Sequence, residues 1–224
     1  MKKFLSVVLM LTLSVAMYAQ KDVTKFLGIP VDGTKSAMIQ KLKAKGFTYN
    51  SVTDMLEGEF NGSQVQISVV TNRNKVYRIF IADKYTCDES DIKIRFNNLC
   101  HQFENNAKYI GDENQTISDD EDISYEMLVN KKRYQAVYFQ KLDDKMIDKY
   151  INAQLLTKYT AEQLADTSQV MQDKVSSDKL AYGWDYIKNN KSKTVWFMIN
   201  SELGSYRILM YYDNDYNKSD GDEL

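Results

Sequence analysis

The chain has 224 residues, of which 43% are hydrophobic and 27% are charged, with 29 basic against 31 acidic side chains and a single proline. This composition is that of a folded protein, because disorder requires low hydrophobicity with a strong charge imbalance, and collagen-like sequence requires glycine and proline in bulk. The near balance of charge offers no basic surface to a phosphate backbone, so nucleic acid is not an expected partner.

The first 19 residues are typical of a secretory signal peptide. Two lysines precede an apolar run over residues 4–17, which is too short to span a bilayer as a mature helix. Ala19 suits cleavage before Gln20, with cleavage after Ala16 as the alternative. No cysteine lies near this region to carry a lipid, and no later apolar run approaches the roughly 20 residues of a membrane span. We therefore expect an exported protein, periplasmic or secreted, with neither a lipid anchor nor a membrane span.

Residues 20–110 are predicted to form an N-terminal lobe of helices and strands. Thr34 is placed to cap a helix that ends before Gly46, a residue type suited to the left-handed position that follows a helix. Asn61-Gly62 predicts a tight hairpin, since both central residues of a type I′ turn need positive φ. A second turn at residues 72–74 extends this hairpin into a three-strand antiparallel meander over residues 56–81.

A long amphipathic helix is predicted to close the lobe, with Thr86 and Glu89 as its capping box. Apolar residues then recur at helical spacing: Ile92, Phe96, Leu99, Cys100, Phe103 and Ala107. Cys87 at the start of this helix is expected roughly 20 Å from Cys100, at about 1.5 Å per residue, which is too far for a disulfide. His101, the only histidine, is expected on the outer face, so neither a Cys–His nucleophile nor a multi-histidine zinc site is predicted.

Residues 111–122 hold six acidic side chains and no basic one, which predicts a solvated connection between lobes. Residues 123–224 are predicted to form the second lobe, or to continue one domain with the first. Alternating apolar residues over 123–129 predict a strand, paired in a hairpin with residues 134–139. Two helices over 143–171 follow, the second capped by Thr160 and Gln163, and the last hairpin spans residues 194–212.

The predicted fold class is therefore α+β, with an antiparallel sheet built from a meander and hairpins and with helices packed on one face. Three of its predicted strands resemble one another in sequence, at residues 76–81, 133–138 and 205–210. This likeness indicates either an internal repeat or, as the favoured interpretation, the general suitability of tyrosine, arginine and β-branched residues for half-buried strands.

Two sets of side chains are candidates for function. Aromatic residues concentrate near the end of the chain and predict a surface for a protein or glycan partner, represented by Trp184, Tyr186, Tyr211 and Tyr212. The alternative is that strands enrich for aromatics and bury them. Glu57 and Glu59 lie two apart on one predicted strand, about 7 Å from each other, a separation that overlaps the carboxylate pairs of glycosidases. No cofactor or metal ligand set is predicted.

Several segments resemble a family of uncharacterised exported proteins from gut-dwelling Gram-negative bacteria: residues 26–34, 38–47, 95–100 and 211–214. The resemblance covers most of the mature chain and implies a periplasmic or secreted location, but it transfers no activity or site residue. The helix-then-meander opening also resembles, in topology, the small α+β binding modules of outer-membrane assembly lipoproteins and β-lactamase inhibitor proteins. The lipid-bearing cysteine of the former is missing here.

These features predict a non-catalytic exported binding module that presents one sheet face, or its aromatic C-terminal hairpin, to a partner. The alternative prediction is a carboxylate-dependent hydrolase that acts on glycans through Glu57 and Glu59. An enzyme needs a concave pocket that holds those carboxylates, whereas a binding module needs an exposed apolar or aromatic surface.

Overall fold

The computed structural model describes residues 21–218. The predicted signal peptide and the last six residues lie outside this range. The described chain divides into two compact units. The first, which we call the sheet unit, contains Val23–Lys141 and the residues from Ser192 onward. The second, the helical unit, contains Leu142–Lys191 together with Lys21 and Asp22.

The sheet unit is an α+β fold, which confirms the predicted class. Its helices are α1 (Lys35–Lys43), α2 (Glu89–Glu104) and α3 (Ile123–Leu128). Its strands are β1 (Lys25–Phe26), β2 (Ile29–Pro30), β3 (Thr48–Asn50), β4 (Met55–Phe60), β5 (Ser63–Asn72), β6 (Lys75–Asp83), β7 (Tyr109–Gly111), β8 (Gln135–Gln140), β9 (Thr194–Glu202) and β10 (Ser205–Asp213). Strands β1 and β2 pair with each other, and the other eight form one antiparallel sheet in the order β3-β4-β5-β6-β10-β9-β8-β7.

The eight-stranded sheet contains a topological repeat. Helix α1 is followed by β3 to β6, and α2 is followed by β7 to β10, so each half adds four strands in chain order. The halves meet where β6 pairs with β10, with Phe80 opposite Tyr211. Of the three strands with similar sequences, β6 and β10 occupy equivalent places, whereas β8 occupies the place of β4.

Two tight turns organise the first half as predicted. Asn61 and Gly62 have φ values of 49° and 73°, and Arg73 and Asn74 have φ values of 47° and 62°, so both central residues of each turn are left-handed. This backbone matches the right-handed twist of paired strands. The turns therefore hold β4, β5 and β6 as the predicted meander.

One face of the sheet packs against α1 and α2. Side chains alternate along the strands, and those on this face are buried with the apolar stripes of the helices. The Phe96 ring on α2 lies 5.0 Å from that of Phe197 on β9, edge to face. The core joins both halves; its largest members are Phe26, Met38, Leu42, Leu56, Ile67, Ile79, Ile92, Phe96, Leu99, Ile123, Tyr138 and Phe197.

The predicted strand over 123–129 is wrong, because these residues form α3. Asp122 caps the helix by accepting a hydrogen bond from the Tyr125 backbone N–H. Glu89 on α2 accepts further bonds from the Ile123 N–H and the Ser124 hydroxyl. The helix start is thus satisfied by a carboxylate from a distant segment, which the local alternation of apolar residues does not reveal.

The predicted capping box at Thr86 is also wrong, since Asp88 caps α2 by accepting from the Asp91 N–H at 2.9 Å. Glu89 turns instead toward α3. Cys87 lies just before the helix and pairs with Tyr206 of β10 through two backbone hydrogen bonds. The chain therefore joins the sheet at Cys87 before it enters α2.

The acidic segment 111–122 lies inside the sheet unit rather than between two units. Two side-chain amides hold it in place. Each amide makes a pair of hydrogen bonds to the backbone N–H and C=O of one residue, as a neighbouring strand does. Asn97 accepts from the Ile117 N–H and donates to the Ile117 carbonyl, each at 2.8 Å. Gln115 makes the equivalent pair of bonds with Val137 on β8, at 2.7 and 3.2 Å. Ile117 is buried, so the segment is anchored although most of its other residues, including five of its six acidic side chains, are exposed.

The helical unit connects β8 to β9, two neighbouring strands of the sheet. It contains α4 (Asp144–Lys158), α5 (Ala161–Ala165) and α6 (Gln169–Asn189), and the predicted Thr160–Gln163 capping box begins α5. Helices α4 and α6 contact through the Tyr150 and Tyr186 rings, 5.3 Å apart, and through an ion pair of 2.6 Å between Lys158 and Asp178. Among residues 21–218, none of the helices is both long and apolar enough to cross a bilayer.

Candidate functional site

The four aromatic residues singled out in the sequence do not form one surface. Trp184 and Tyr186 lie on α6 of the helical unit, whereas Tyr211 and Tyr212 lie on β10 of the sheet unit. Trp184 is 70% exposed. Tyr211 and Tyr212 point to opposite faces of the sheet, because successive residues of a strand alternate.

Two of the four are buried, which corrects the prediction that they contact a partner. Tyr212 is 4% exposed, and its ring centroid lies 4.9 Å from that of Phe26 in the core. Its burial raises the pKa of its phenol well above the usual value. Tyr186 is 8% exposed and packs between α4 and α6. For these two residues the alternative interpretation is correct: the aromatic side chains are buried by the strand and the helix that carry them.

Tyr211 belongs to a row of aromatic side chains on the sheet face opposite α1 and α2, which we call the open face. Phe80 on β6, Tyr211 on β10 and Trp196 on β9 stand directly opposite one another across three neighbouring strands. We call these three residues the aromatic ladder. All three are only partly buried, in contrast to their fully buried neighbours in each strand.

The ladder is closely packed. The Trp196 and Tyr211 rings stack with centroids 3.9 Å apart and planes 11° from parallel, and the Phe80 ring lies 5.1 Å from that of Tyr211. Such cross-strand aromatic pairs fix ring orientation. Neither Phe80 nor Trp196 is among the four aromatic residues singled out in the sequence, although Trp196 belongs to the same C-terminal concentration of aromatics. The sequence signal that could have found them is that β6 and β9 carry large apolar residues at positions facing both sides of the sheet. Neither strand therefore has a purely polar outer face.

An ion pair borders the ladder at the junction of the two halves. The Arg78 guanidinium donates to both carboxylate oxygens of Asp213 at 2.5 and 2.7 Å, and it lies 4.9 Å from the centre of the Tyr211 ring. The Trp196 indole N–H also donates to Asp213, at 3.3 Å. The hydrogen bond to Asp213 raises the pKa of Arg78. Arginine thus stays charged and orients the ladder from one side.

Two more ion pairs lie on the open face. Lys84 donates to Glu57 at 2.7 Å, and Arg207 donates to Glu202 at 2.6 Å. The hydrogen bond from Lys84, followed by one from Gln66, lowers the pKa of Glu57. Partly exposed pairs of this kind add little stability, but they leave few charges of this face without an opposite charge beside them.

The alternative acid/base pair, Glu57 and Glu59, lies on this same face, but the surroundings of Glu57 do not suit a catalytic acid. Glu57 and Glu59 both point to the open face from β4, and Glu59 is exposed. A glycosidase acid must hold its proton near neutral pH, which requires a raised pKa. Lys84 instead stabilises the ionised form of Glu57. The geometry therefore favours a surface ion pair over a catalytic carboxyl at this residue.

The thiols and the histidine are separate from the open face. Cys87 and Cys100 are free thiols, and Cys100 is buried in the core on the predicted stripe of α2. Burial raises the pKa of the Cys100 thiol to about 11, so it is not a thiolate at neutral pH. His101 is solvent-facing and lies 3.3 Å from Glu104. Across residues 21–218, no cluster of three or more His, Cys, Asp or Glu side chains is arranged to hold a metal ion.

The open face, with its aromatic ladder and paired charges, is therefore a candidate recognition surface. It combines apolar area with tyrosine, tryptophan and arginine, the residue types that anchor protein interfaces. Comparison of this chain with protein-family models, with curated proteins and with solved structures finds no match.

Proposed function

We propose that this protein is an exported, non-catalytic binding module that docks its partner on the open face of the eight-stranded sheet. The single observation that carries the proposal is the aromatic ladder of Phe80, Tyr211 and Trp196, held in register across three strands. The signal-like sequence at the N-terminus supports export.

The rigidity of the ladder supports a binding role. Each ring is held by a neighbouring ring or by Arg78, so little side-chain freedom remains to be lost when a partner binds. Pre-ordered tyrosine and tryptophan side chains supply large contact areas at low entropic cost. A sheet face that only contacts solvent normally carries polar side chains and does not need an aromatic row across three strands.

The test compares two tryptophans. Trp196→Ala removes the end of the ladder, and Trp184→Ala removes an exposed tryptophan from the helical unit as the matched control. We expect Trp196→Ala to weaken capture of an envelope partner by at least about 30-fold, as the loss of an interface anchor does. Trp184→Ala should leave capture within about twofold of the parent. Thermal unfolding of both variants verifies that the fold persists.

Two outcomes would overturn the proposal. If capture were lost with Trp184→Ala and retained with Trp196→Ala, the docking surface would belong to the helical unit. If both variants behaved as the parent and Glu57→Gln abolished a measurable glycan cleavage, the carboxylate-dependent hydrolase would replace the binding module.

A further inference from the structure

We infer that the partner on the open face is a polypeptide surface that is apolar and poor in charge, rather than a glycan. The inference rests on the proposed function and concerns the chemical class of the partner. Three properties of the open face carry it: the occupied faces of its central aromatic ring, the internal pairing of its charges and the extent of its apolar surface.

The faces of the central ring, Tyr211, are already occupied. A sugar packs its C–H groups on the flat face of an aromatic ring, so a glycan platform needs a ring whose face is open to solvent. In the ladder, Tyr211 has Trp196 against one face at 3.9 Å, and both Phe80 and Arg78 lie about 5 Å from its centroid. Trp196 thus stacks on Tyr211, and Phe80 packs against Tyr211 with its plane tilted by 37°, so the Tyr211 ring offers little free face to a sugar. Ring edges and small apolar groups are complementary to the side chains of a protein.

The charges of the open face are mostly neutralised within the sheet. Arg78 pairs with Asp213, Lys84 with Glu57, and Arg207 with Glu202, all at 2.5 to 2.7 Å. Glu59 adds an exposed carboxylate on β4, three strands away from Tyr211. Because these charges are paired, the surface near the ladder has no strong electrostatic potential of one sign that would attract a highly charged partner. An uncharged surface complements this face, and its association should not depend on electrostatic steering.

Apolar surface extends from the ladder toward the β7 edge. Val137 on β8 stands opposite Trp196, and Phe139, two residues further along β8, pairs with Ile110 of β7; Phe139 and Ile110 are 42% and 57% exposed, respectively. Leu209 and Met198 form the neighbouring cross-strand pair on the other side of the ladder. From β6 to β7 the apolar residues cover five neighbouring strands, about 19 Å at the usual strand spacing. This width suits the apolar centre of a protein interface better than a site for one or two sugar rings.

The experiment places a photocrosslinking amino acid, p-benzoylphenylalanine, in the full chain expressed in its native cells. Met198 is the test position on the open face. Ile94, 60% exposed on α2, is the control position. We expect a crosslinked adduct from position 198 that proteinase removes and whose peptides are poor in Asp, Glu, Lys and Arg. Capture of the same protein by the purified parent chain should change less than twofold between 50 and 500 mM NaCl.

The outcomes separate this inference from the proposed function. An adduct of glycan mass, an adduct between two copies of this chain, or capture that falls tenfold or more with salt would overturn the inference and leave the open face as the binding surface. Adducts that form at position 94 and not at position 198 would overturn the proposed function itself. Both are supported by a polypeptide adduct at position 198 together with capture that is weakened by Trp196→Ala and does not change with salt.

Discussion

The two halves of the sheet build the same hairpin in different ways. In the first half, β4 and β5 are joined by the two residues Asn61 and Gly62. In the second half, the equivalent strands β8 and β9 are joined by the whole helical unit, yet they pair in continuous register from Gln135 to Phe139. Strand pairing in this sheet is therefore specified by the core-facing side chains and the backbone ladder, and a tight turn is only one way to bring two strands together.

The shared core is the strongest determinant of both halves. Phe197 is fully buried and contacts the rings of Phe96, Phe103 and Tyr138. Phe197→Ala should lower the free energy of unfolding by about 3 to 5 kcal/mol, because it leaves a cavity where four rings meet. Chemical denaturation measures the loss. Ile94→Ala on the exposed face of α2 is the control and should stay within about 0.5 kcal/mol of the parent. A loss below 1 kcal/mol for Phe197→Ala would contradict the single shared core.

The tight turn of the first half should have an intermediate effect. Gly62 has φ of +73°, and a methyl group there would meet no other atom, so only backbone strain opposes alanine. Gly62→Ala should lower the free energy of unfolding by about 1 to 2 kcal/mol, the cost of a left-handed backbone for an L-residue. Gln64→Ala, an exposed change two residues away, is the control. Equal stability of the two variants would show that the first hairpin, like the second, does not depend on its turn.

Excision of the helical unit should have the smallest effect on the sheet. The β8–β9 ladder continues as far as a 2.9 Å hydrogen bond from the Gln140 N–H to the Lys193 carbonyl, so the strands end within reach of each other. Replacing Leu142–Lys191 with Asn-Gly should leave the free energy of unfolding within about 1 kcal/mol of the parent, while the helical circular dichroism signal falls. A chain that failed to unfold cooperatively after this excision would show that the sheet unit needs the insertion.

Local signals in the sequence predicted the parts of the fold that depend on neighbouring residues. The turn at Asn61-Gly62, the cap at Thr34 and the capping box at Thr160 each rest on contacts within a few residues, and the structure contains all three. Glu89 is a residue whose partner such local signals predicted wrongly. Its spacing from Thr86 predicted a bond to its own helix, but it caps α3, more than 30 residues away.

The candidate site was harder to predict for the same reason. Tyr211 was selected, but its ladder partners Phe80 and Trp196 are brought to it only by strand pairing across the two halves. Clustering along the chain grouped Tyr211 with Trp184, which lies in the other unit. Alternation within a strand predicts which residues share a face, but pairing between distant strands decides which of them meet.

The junction of β6 with β10 has a consequence for the time course of folding. Arg78 and Asp213, which pair across it, are 135 residues apart in the chain, and Thr24 bonds to the carbonyl of Asp213 across 189 residues. Contacts of such long sequence separation make folding slow, on the order of milliseconds to seconds. While the chain folds, the edge of β6 stays unpaired until β10, the last strand, pairs with it, and an unpaired strand edge is prone to aggregation.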